Sequence, residues 1–454
     1  MKTNETLTLV NHSSILIEDH KNNFSLLTDP WYNGLAFNNG WSLLYNNKAS
    51  QILNIISRTK YIYLSHEHPD HFSTLFFKQY SGKFLKNCKV LFQETRDNRL
   101  ITFLNKTFKI KSLIFKHLQL SKLDKTNFTL IKCGHIDSGF ILETDNFFHI
   151  NINDCDFSNF EISSLKKILS KTNKKKILYI QFSYAAYRPG KNWLEISAKR
   201  KLNTIIYLYK TLLIDLVIPY ASLVYYCHEE NFHLNQFMNN CKKASIYLLK
   251  QNVKHCFLDP FSNRIELNEI INNNYKRDKI NANSIKFWDN KIKNAQKVIT
   301  QSIIPNNFKK EINVFLDRIK IQNSYFLLFL IRYLSLKFIF GDVIIKITDK
   351  KEVFKINFFS VKNIYKPQNL IHPDISMSAE SFSFLLNETY GFDTLTVNGR
   401  FNQIKKNGYR RFVFSIGFTI FNQSGYGIKF FDLFNKLIFQ KILLVPLNIL
   451  LKKS

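Results

Sequence analysis

The chain has 454 residues, of which 64 are Lys or Arg and 34 are Asp or Glu, giving a formal charge of +30, and it is 45% hydrophobic and 15% aromatic. Such a length and apolar content suit two domains around sizeable cores and exclude a disordered chain. The positive excess suits an acidic substrate, nucleic acid or an anionic membrane. The basic residues are scattered, however, through a sequence loaded with Asn, Ile, Lys and Phe, a bias that AT-rich coding produces unaided, so charge alone selects no partner. Six cysteines without a C-x-x-C pair, and an opening MKTNETLTLV that lacks an apolar signal core, predict a reduced, cytoplasmic protein.

Residues 7–10, 14–18 and 24–28 are short apolar and β-branched runs broken by polar pairs, the pattern of an opening β-meander, with His12 between the first two. Asp29, Pro30 and Trp31 end the third run. Residues 31–45, WYNGLAFNNGWSLLY, then form a Gly- and Asn-rich loop so aromatic that it must pack over something. Its Trp31 and Trp41 are candidates for an apolar wall facing a substrate, or else for a lid over the core. Residues 49–58 have helical spacing, YIYL at 61–64 reads as a buried strand, and 73–80 resume helix with Ser73 as N-cap. The alternation continues through 90–92 and 100–104, which predicts a layered α/β architecture.

The strand at 61–64 runs into SHEHPDH, with three of the twelve histidines in six residues. Side chains two apart on extended backbone point the same way, so His66 and His68 can grip one ion, while Pro69 turns the chain and re-aims Asp70 and His71. By composition H-x-H-x-D-H arises by chance on the order of once in a few thousand such chains. Imidazole with carboxylate and no thiolate suits Zn, Fe or Mn at an open site rather than a closed structural zinc.

Three apolar runs lie between residues 128 and 152, with His135 in the gap KCGHIDSGF and Asp154 closing FFHININDCD. A strand at 177–182, a basic-faced helix at 193–213 and a strand at 216–219 follow, the last leading into YASLVYYCHEENFH and His228. His135, Asp154 and His228 thus each stand where a strand stops, as further ligand candidates, whereas His149, His233 and His255 read as structural. Cys133 and His135 form a C-x-H pair, but no C-x-x-H follows to complete a Rieske centre.

After Asp259 and Pro260 the histidine-bearing loops end and residues 263–294 turn polar, placing a boundary near 260, with 1–260 as the metal-binding part and 261–454 as an α+β extension. In the extension, the apolar run 325–340 is too short and too charged to span a bilayer. Residues 343–347, 354–359 and 411–421 read as strands, and Asn398-Gly399 within 394–402 as a hairpin turn. The apolar stretch 437–451, flanked by lysines, reads as a terminal helix docked on the core or, over 437–453, as a peripheral membrane contact.

Four stretches fall in order between Asp29 and Glu229: DPWYNGLAFNNGWSLLY, YIYLSHEHPDHFS, GHIDSGFILETDNFFHININDC and IPYASLVYYCHE. They resemble the corresponding parts of the CMP-N-acetylneuraminate hydroxylase family and its bacterial relatives, within the metallo-β-lactamase superfamily. H-x-H-x-D-H marks only the superfamily, DPW followed by AF and GW is more specific, and GFDTLTVNG in the extension is loosely similar to the tail of the same relatives. The resemblance implies an αββα sandwich with a C-terminal α+β extension and two divalent metals at the strand ends, zinc being expected and iron the alternative. It implies His66, His68 and His135 on one metal, Asp70, His71 and His228 on the other, and Asp154 bridging, with Asp70 and His228 taking part in catalysis.

That family opens with a Rieske iron–sulfur domain, whereas this chain opens directly on the meander. The expected reaction is therefore hydrolysis of an anionic, sugar-nucleotide or glycan-related substrate by a metal-bridging hydroxide. The alternative is hydroxylation of a CMP-sialic-acid-like substrate with an external reductase. A third reading, a basic nucleic-acid-binding protein with a structural metal, is disfavoured, because the superfamily's nucleases carry a further domain whose motifs are not found here.

Overall fold

In the computed structural model, residues 5–134, 136–171, 173–184, 186–299, 307–335, 337–364 and 372–434 are described. His135 and the apolar stretch at 437–453 lie outside them. The first body runs, in chain order, through β1 (Glu5–Asn11), β2 (Ser14–Asp19), β3 (Phe24–Thr28), β4 (Trp41–Leu43), α1 (Ala49–Ser57), β5 (Tyr61–Tyr63), α2 (Thr74–Tyr80), β6 (Lys89–Gln93), α3 (Arg99–Phe103) and β7 (Lys111–Phe115). It continues with β8 (Leu120–Leu123), β9 (Thr126–Cys133), β10 (Asp137–Glu143), β11 (Phe147–Asn153), α4 (Asn159–Leu169), β12 (Lys175–Gln181), α5 (Lys191–Thr211), β13 (Leu216–Tyr220), β14 (Val224–Tyr226), α6 (Cys241–Leu249), β15 (Ile265–Glu266), α7 (Leu267–Asn272) and α8 (Asn274–Lys293).

These strands form a seven-stranded sheet in the order β15-β1-β2-β3-β5-β6-β7 and a six-stranded sheet in the order β13-β12-β11-β10-β9-β8. Period-two alternation sends each strand's side chains to two cores. From the first sheet, Leu7, Leu9, Ile15, Ile17, Leu26, Tyr61 and Tyr63 enter the core shared with the second sheet, while Val10, Leu16, Leu27, Ile62 and Leu64 pack beneath Ile52, Ile55 and Ile56 of α1 and Phe76, Phe77 and Tyr80 of α2. The far face of the second sheet is covered by α4, α5 and α6 through residues such as Leu165, Ile205 and Leu248. The layers are helix, sheet, sheet, helix. Strands covered on both faces explain why the meander reads as near-continuous apolar runs. Ser73 caps α2 as expected, its hydroxyl accepting from the Phe76 amide at 3.3 Å.

Past residue 260 the chain remains part of this body. Ile265 of β15 pairs with Leu7 of β1, and Trp288 of α8 is fully buried with its indole N–H donating to the Leu258 carbonyl at 2.7 Å. The polar stretch there is the solvent face of helix α8 rather than a linker.

The second body comprises α9 (Lys309–Gln322), α10 (Tyr325–Leu334), β16 (Val343–Ile347), β17 (Val353–Asn357), β18 (Ser360–Asn363), β19 (Ile375–Met377), α11 (Ala379–Asn387), α12 (Gly391–Asn398), β20 (Asn402–Gln403), α13 (Gly408–Ile416) and α14 (Thr419–Asn422). Its sheet has the order β18-β17-β16-β19-β20. Two expectations are corrected. Asn398-Gly399 closes helix α12 rather than a hairpin, with Gly399 at φ 68° as its left-handed cap; a hairpin turn and a helix end both demand positive φ, so the dipeptide signals either. Residues 411–421 belong to α13 and α14, because Phe412, Ser415, Ile416 and Thr419 are buried at the i, i+3, i+4, i+7 spacing of a helix. All six cysteines are free and buried. Among the described residues no helix is long and apolar enough to cross a membrane.

The aromatic loop after β3 lies between the two bodies. β4 pairs with β14, and Asn398 of α12 donates to the Phe37 carbonyl at 2.9 Å. A Cβ at Gly40 would stand 2.5 Å from the Asn398 Cβ, so only glycine permits this approach. Trp41 is 2% exposed and meets Phe37 and Tyr226 edge to face. Arg400, 1% exposed, donates to Glu230 and Glu380 at 2.6 Å each and to the Asn38 carbonyl at 2.7 Å. Burial pushes the Glu380 carboxyl up, but the Arg400 hydrogen bond and charge hold it below its ordinary 4.5.

A carboxyl depressed in the folded state stabilises above its unfolded value, and that contribution is lost as pH falls through the folded value. Arg400→Met should therefore cost about 3–5 kcal/mol at neutral pH, because two carboxylates lose their buried partner. Denaturant titrations should show the deficit narrowing below the ordinary Glu380 value of 4.5; a deficit independent of pH would contradict this account. Trp41→Ala should cost about 3–5 kcal/mol, as for a core aromatic. A loss below about 1 kcal/mol in the same titration would return Trp41 to a surface role.

Candidate metal centre

Asp29, at the end of β3, and Ser65, just past β5, meet where the first sheet stops. The Ser65 amide and hydroxyl donate to the Asp29 carboxylate at 2.8 and 2.9 Å, and Asn153, at the end of β11 in the second sheet, donates to it at 2.6 Å. His71 Nδ1 stands 3.1 Å from the same carboxylate. An imidazole N–H directed at a carboxylate fixes the tautomer and turns the other nitrogen, Nε2, inward. His66 is held likewise, with Nδ1 2.9 Å from the Ser65 hydroxyl.

The inward nitrogens meet carboxylates. His71 Nε2 lies 3.2 Å from Asp70 Oδ2 and 3.7 Å from Asp154 Oδ2, and His66 Nε2 lies 3.8 Å from Asp154 Oδ2. Asp154 therefore stands between the two rings. His66 Nε2 also faces His68 Nδ1 at 2.8 Å. From the turn between β1 and β2, His12 brings Nε2 to 3.3 Å from Asp70 Oδ2. Three overlapping groups of donor atoms result, each within 4.8 Å: His12, Asp70 and His71; His66, His68 and Asp70; His66, His71 and Asp154.

The electrostatics are those of a cation site. Burial, reinforced by the neighbouring His71, lowers His66 to about 3. Burial opposes the charged form of His71 too, but Asp70, Asp154 and Asp29 raise it well above the ordinary range. Burial works against ionised Asp70 and Asp154 as well, yet the facing histidines hold both below 3.8. Asp137, whose Oδ1 is 3.8 Å from His66 Nε2, is raised to about 7 by burial and by Asp154. His12 Nδ1, Asp70 Oδ1 and Asp154 Oδ1 are buried without a hydrogen-bond partner. Orphaned carboxylate oxygens beside converging imidazole nitrogens are what a divalent cation would satisfy, so the donor set fits a metal.

Of the residues expected from the sequence, the structure brings together His66, His68, Asp70, His71 and Asp154. His135 lies outside the described residues. His228 is in none of the three groups. Its Nδ1 accepts from the Glu230 amide at 3.2 Å, and burial together with the Arg400 charge lowers its pKa, which places it in the Arg400 network. His12 and Asp137 were not assigned from the sequence. The signal for His12 was a polar NHSS break in a buried meander, and that for Asp137 was its place in KCGHIDSGF.

A cavity of about 610 Å³ opens beside His68, walled by Trp31, Phe37, Phe72, Phe103, Phe384 and Tyr390, with Arg99 and Glu67 at its rim. Trp31, which meets the His12 ring edge to face at 5.7 Å, faces this cavity, whereas Trp41 does not line it. Arg99 donates to Glu67 at 2.7 Å and lies over the Tyr390 ring.

No protein-family model matches the chain, and no curated protein does. Among solved structures, the chain is similar to CmlA, a diiron β-hydroxylase from Streptomyces venezuelae, at 11% identity and a TM-score of 0.37, over 56% of this chain and 53% of that one. It therefore spans about half the length of that hydroxylase. It is similar to a possible metal-dependent hydrolase from Veillonella parvula at 13% identity and a TM-score of 0.42, over 58% of this chain and 100% of that one. It is also similar to the metallo-β-lactamase fold protein YhfI from Bacillus subtilis at 12% identity and a TM-score of 0.36, over 56% of this chain and 97% of that one. Two facing sheets between helical layers, with the His and Asp cluster at the strand ends, make the fold of this chain an αββα sandwich with a C-terminal α+β extension, the layering expected from the sequence.

Proposed function

We propose that the chain is a dinuclear-metal-dependent hydrolase. The observation that carries this reading is the convergence of His66 Nε2, His68 Nδ1, His71 Nε2, Asp70 and Asp154 in a buried space where carboxylate oxygens are left without partners. His66, His68, His71, Asp70 and Asp154 would hold the ions, joined by His12, with His135 and His228 as further candidates from the sequence. Divalent ions bound there would supply an acidified water as nucleophile and polarise a phosphoryl or carbonyl oxygen. Asp70, in contact with both His12 and His71, orients the inner face of the cluster.

The substrate is proposed to carry an anionic group together with an apolar or planar portion. The aromatic walls beside His68 suit the latter. The metal ions themselves would meet the former, since the adjoining cavity of about 370 Å³ balances Arg96, Arg99 and Lys132 against Glu67, Glu94 and Asp97, and a sugar nucleotide or glycan-derived acid combines both portions. The same imidazole and carboxylate donors also suit iron, which keeps hydroxylation with an external reductase as the second reading.

Elemental analysis of protein purified without chelators is expected to find about two divalent ions per chain, zinc under the first reading and iron under the second. Asp70→Ala should lower that content and slow hydrolysis of a chromogenic phosphodiester by roughly two orders of magnitude or more, the scale of a removed catalytic electrostatic group. A variant with full metal content and near-normal turnover would sink the dinuclear reading, and so would a wild-type chain that bound no metal.

A further inference from the structure

The second body reaches into the cluster at one point. Asp393, in the first turn of α12, places Oδ2 2.7 Å from His68 Nε2, across 325 positions of sequence. His68 has only two ring nitrogens, and the other, Nδ1, faces His66 Nε2 at 2.8 Å. A carboxylate on Nε2 claims the ring N–H there, leaves the lone pair on Nδ1 and aims it into the cluster.

Asp393 is itself held in place. Gln423, fully buried, donates to Asp393 Oδ2 at 3.2 Å. Helix α12 is tied to the first body on both sides of this residue, by the Tyr390 hydroxyl donating to Glu67 at 2.6 Å and by Asn398 donating to the Phe37 carbonyl at 2.9 Å. The carboxylate is thus presented to His68 by a helix pinned near both ends, and its side chain is only 13% exposed.

We propose that Asp393 is a positioning residue of the metal centre: the C-terminal body supplies the outer carboxylate that orients His68, and the first body alone holds an incomplete site. This rests on the metal-binding reading above. A contact that served only to dock the two bodies would lower the stability of the metal-free chain and leave its ion affinity alone. A positioning role changes the affinity and the ligand field.

The test is competition between the full-length, metal-stripped protein and a chromogenic chelator for Zn2+ and Co2+, with the visible absorption spectrum of the cobalt form recorded for wild type, Asp393→Ala and Asp393→Asn. Both variants are expected to bind about 10–100-fold more weakly, the cost typical of losing an outer carboxylate on a ligating histidine, and to shift the cobalt bands. Asp393→Asn keeps the shape and an acceptor oxygen, so it decides the matter if the alanine variant fails to fold, and the melting temperature of each metal-free protein checks folding. Unchanged affinity and spectrum in a folded variant would overturn the role of Asp393 alone. A wild type that bound neither ion would instead overturn the metal-binding reading beneath it.

Discussion

Asp29 is the pin on which the two sheets meet. Fully buried, it accepts from Ser65, just past β5 of the first sheet, and from Asn153 of the second sheet's β11, and it faces His71. Burial raises its pKa, with His71 and the Ser65 hydrogen bonds opposing that rise. The residue sits at φ 34°, a left-handed conformation that costs roughly 1–2 kcal/mol for a side chain other than glycine. The hydrogen bonds from Ser65 and Asn153 and the facing His71 hold the carboxylate in that conformation and offset part of the cost of burying it. Remove the carboxylate and Ser65, His71 and Asn153 all lose the group that orients them.

Around that pin the cluster solves a problem of charge. Two carboxylates, the buried Asp70 and the partly exposed Asp154, stand with the buried imidazoles of His12, His66 and His71 in one shared space. Charges of one sign cannot accumulate there without partners. Alternating imidazole and carboxylate around a shared centre spreads the cost, and the fold contributes the alternation by drawing residues from strand ends of both sheets. The burial of His12, His66, Asp70 and His71 keeps the surroundings low in dielectric, which strengthens each of these interactions.

Much of this was legible in the sequence. The meander was evident because strands covered on both faces must be apolar throughout, and H-x-H-x-D-H stood out because three histidines in six positions are improbable without a shared task. What could not be read was any contact set by distant chain. His12 is one histidine among twelve, and the polar break that carries it reads as an ordinary turn until the β1–β2 turn is brought against Asp70. Nothing near His228 in sequence shows that Arg400, far along the chain, stands beside it and shares Glu230 with it. In the second body, aromatic and β-branched residues over 411–421 suggested a strand, yet the period of the buried positions was helical all along.

The long sequence separation between His68 and Asp393 sets an order of events during synthesis. Domains generally fold as units, the N-terminal one first, while the rest is still being translated. A first body folding in that order would form both sheets before α12 emerged, with the metal centre still short of Asp393. Until it arrives, His68 lacks its carboxylate, and the loop carrying Phe37 and Trp41 lacks the helix that covers it. A chain arrested in translation after Lys293 would display an uncovered aromatic surface next to a ring of imidazoles and carboxylates, the kind of sticky intermediate that chaperones retain.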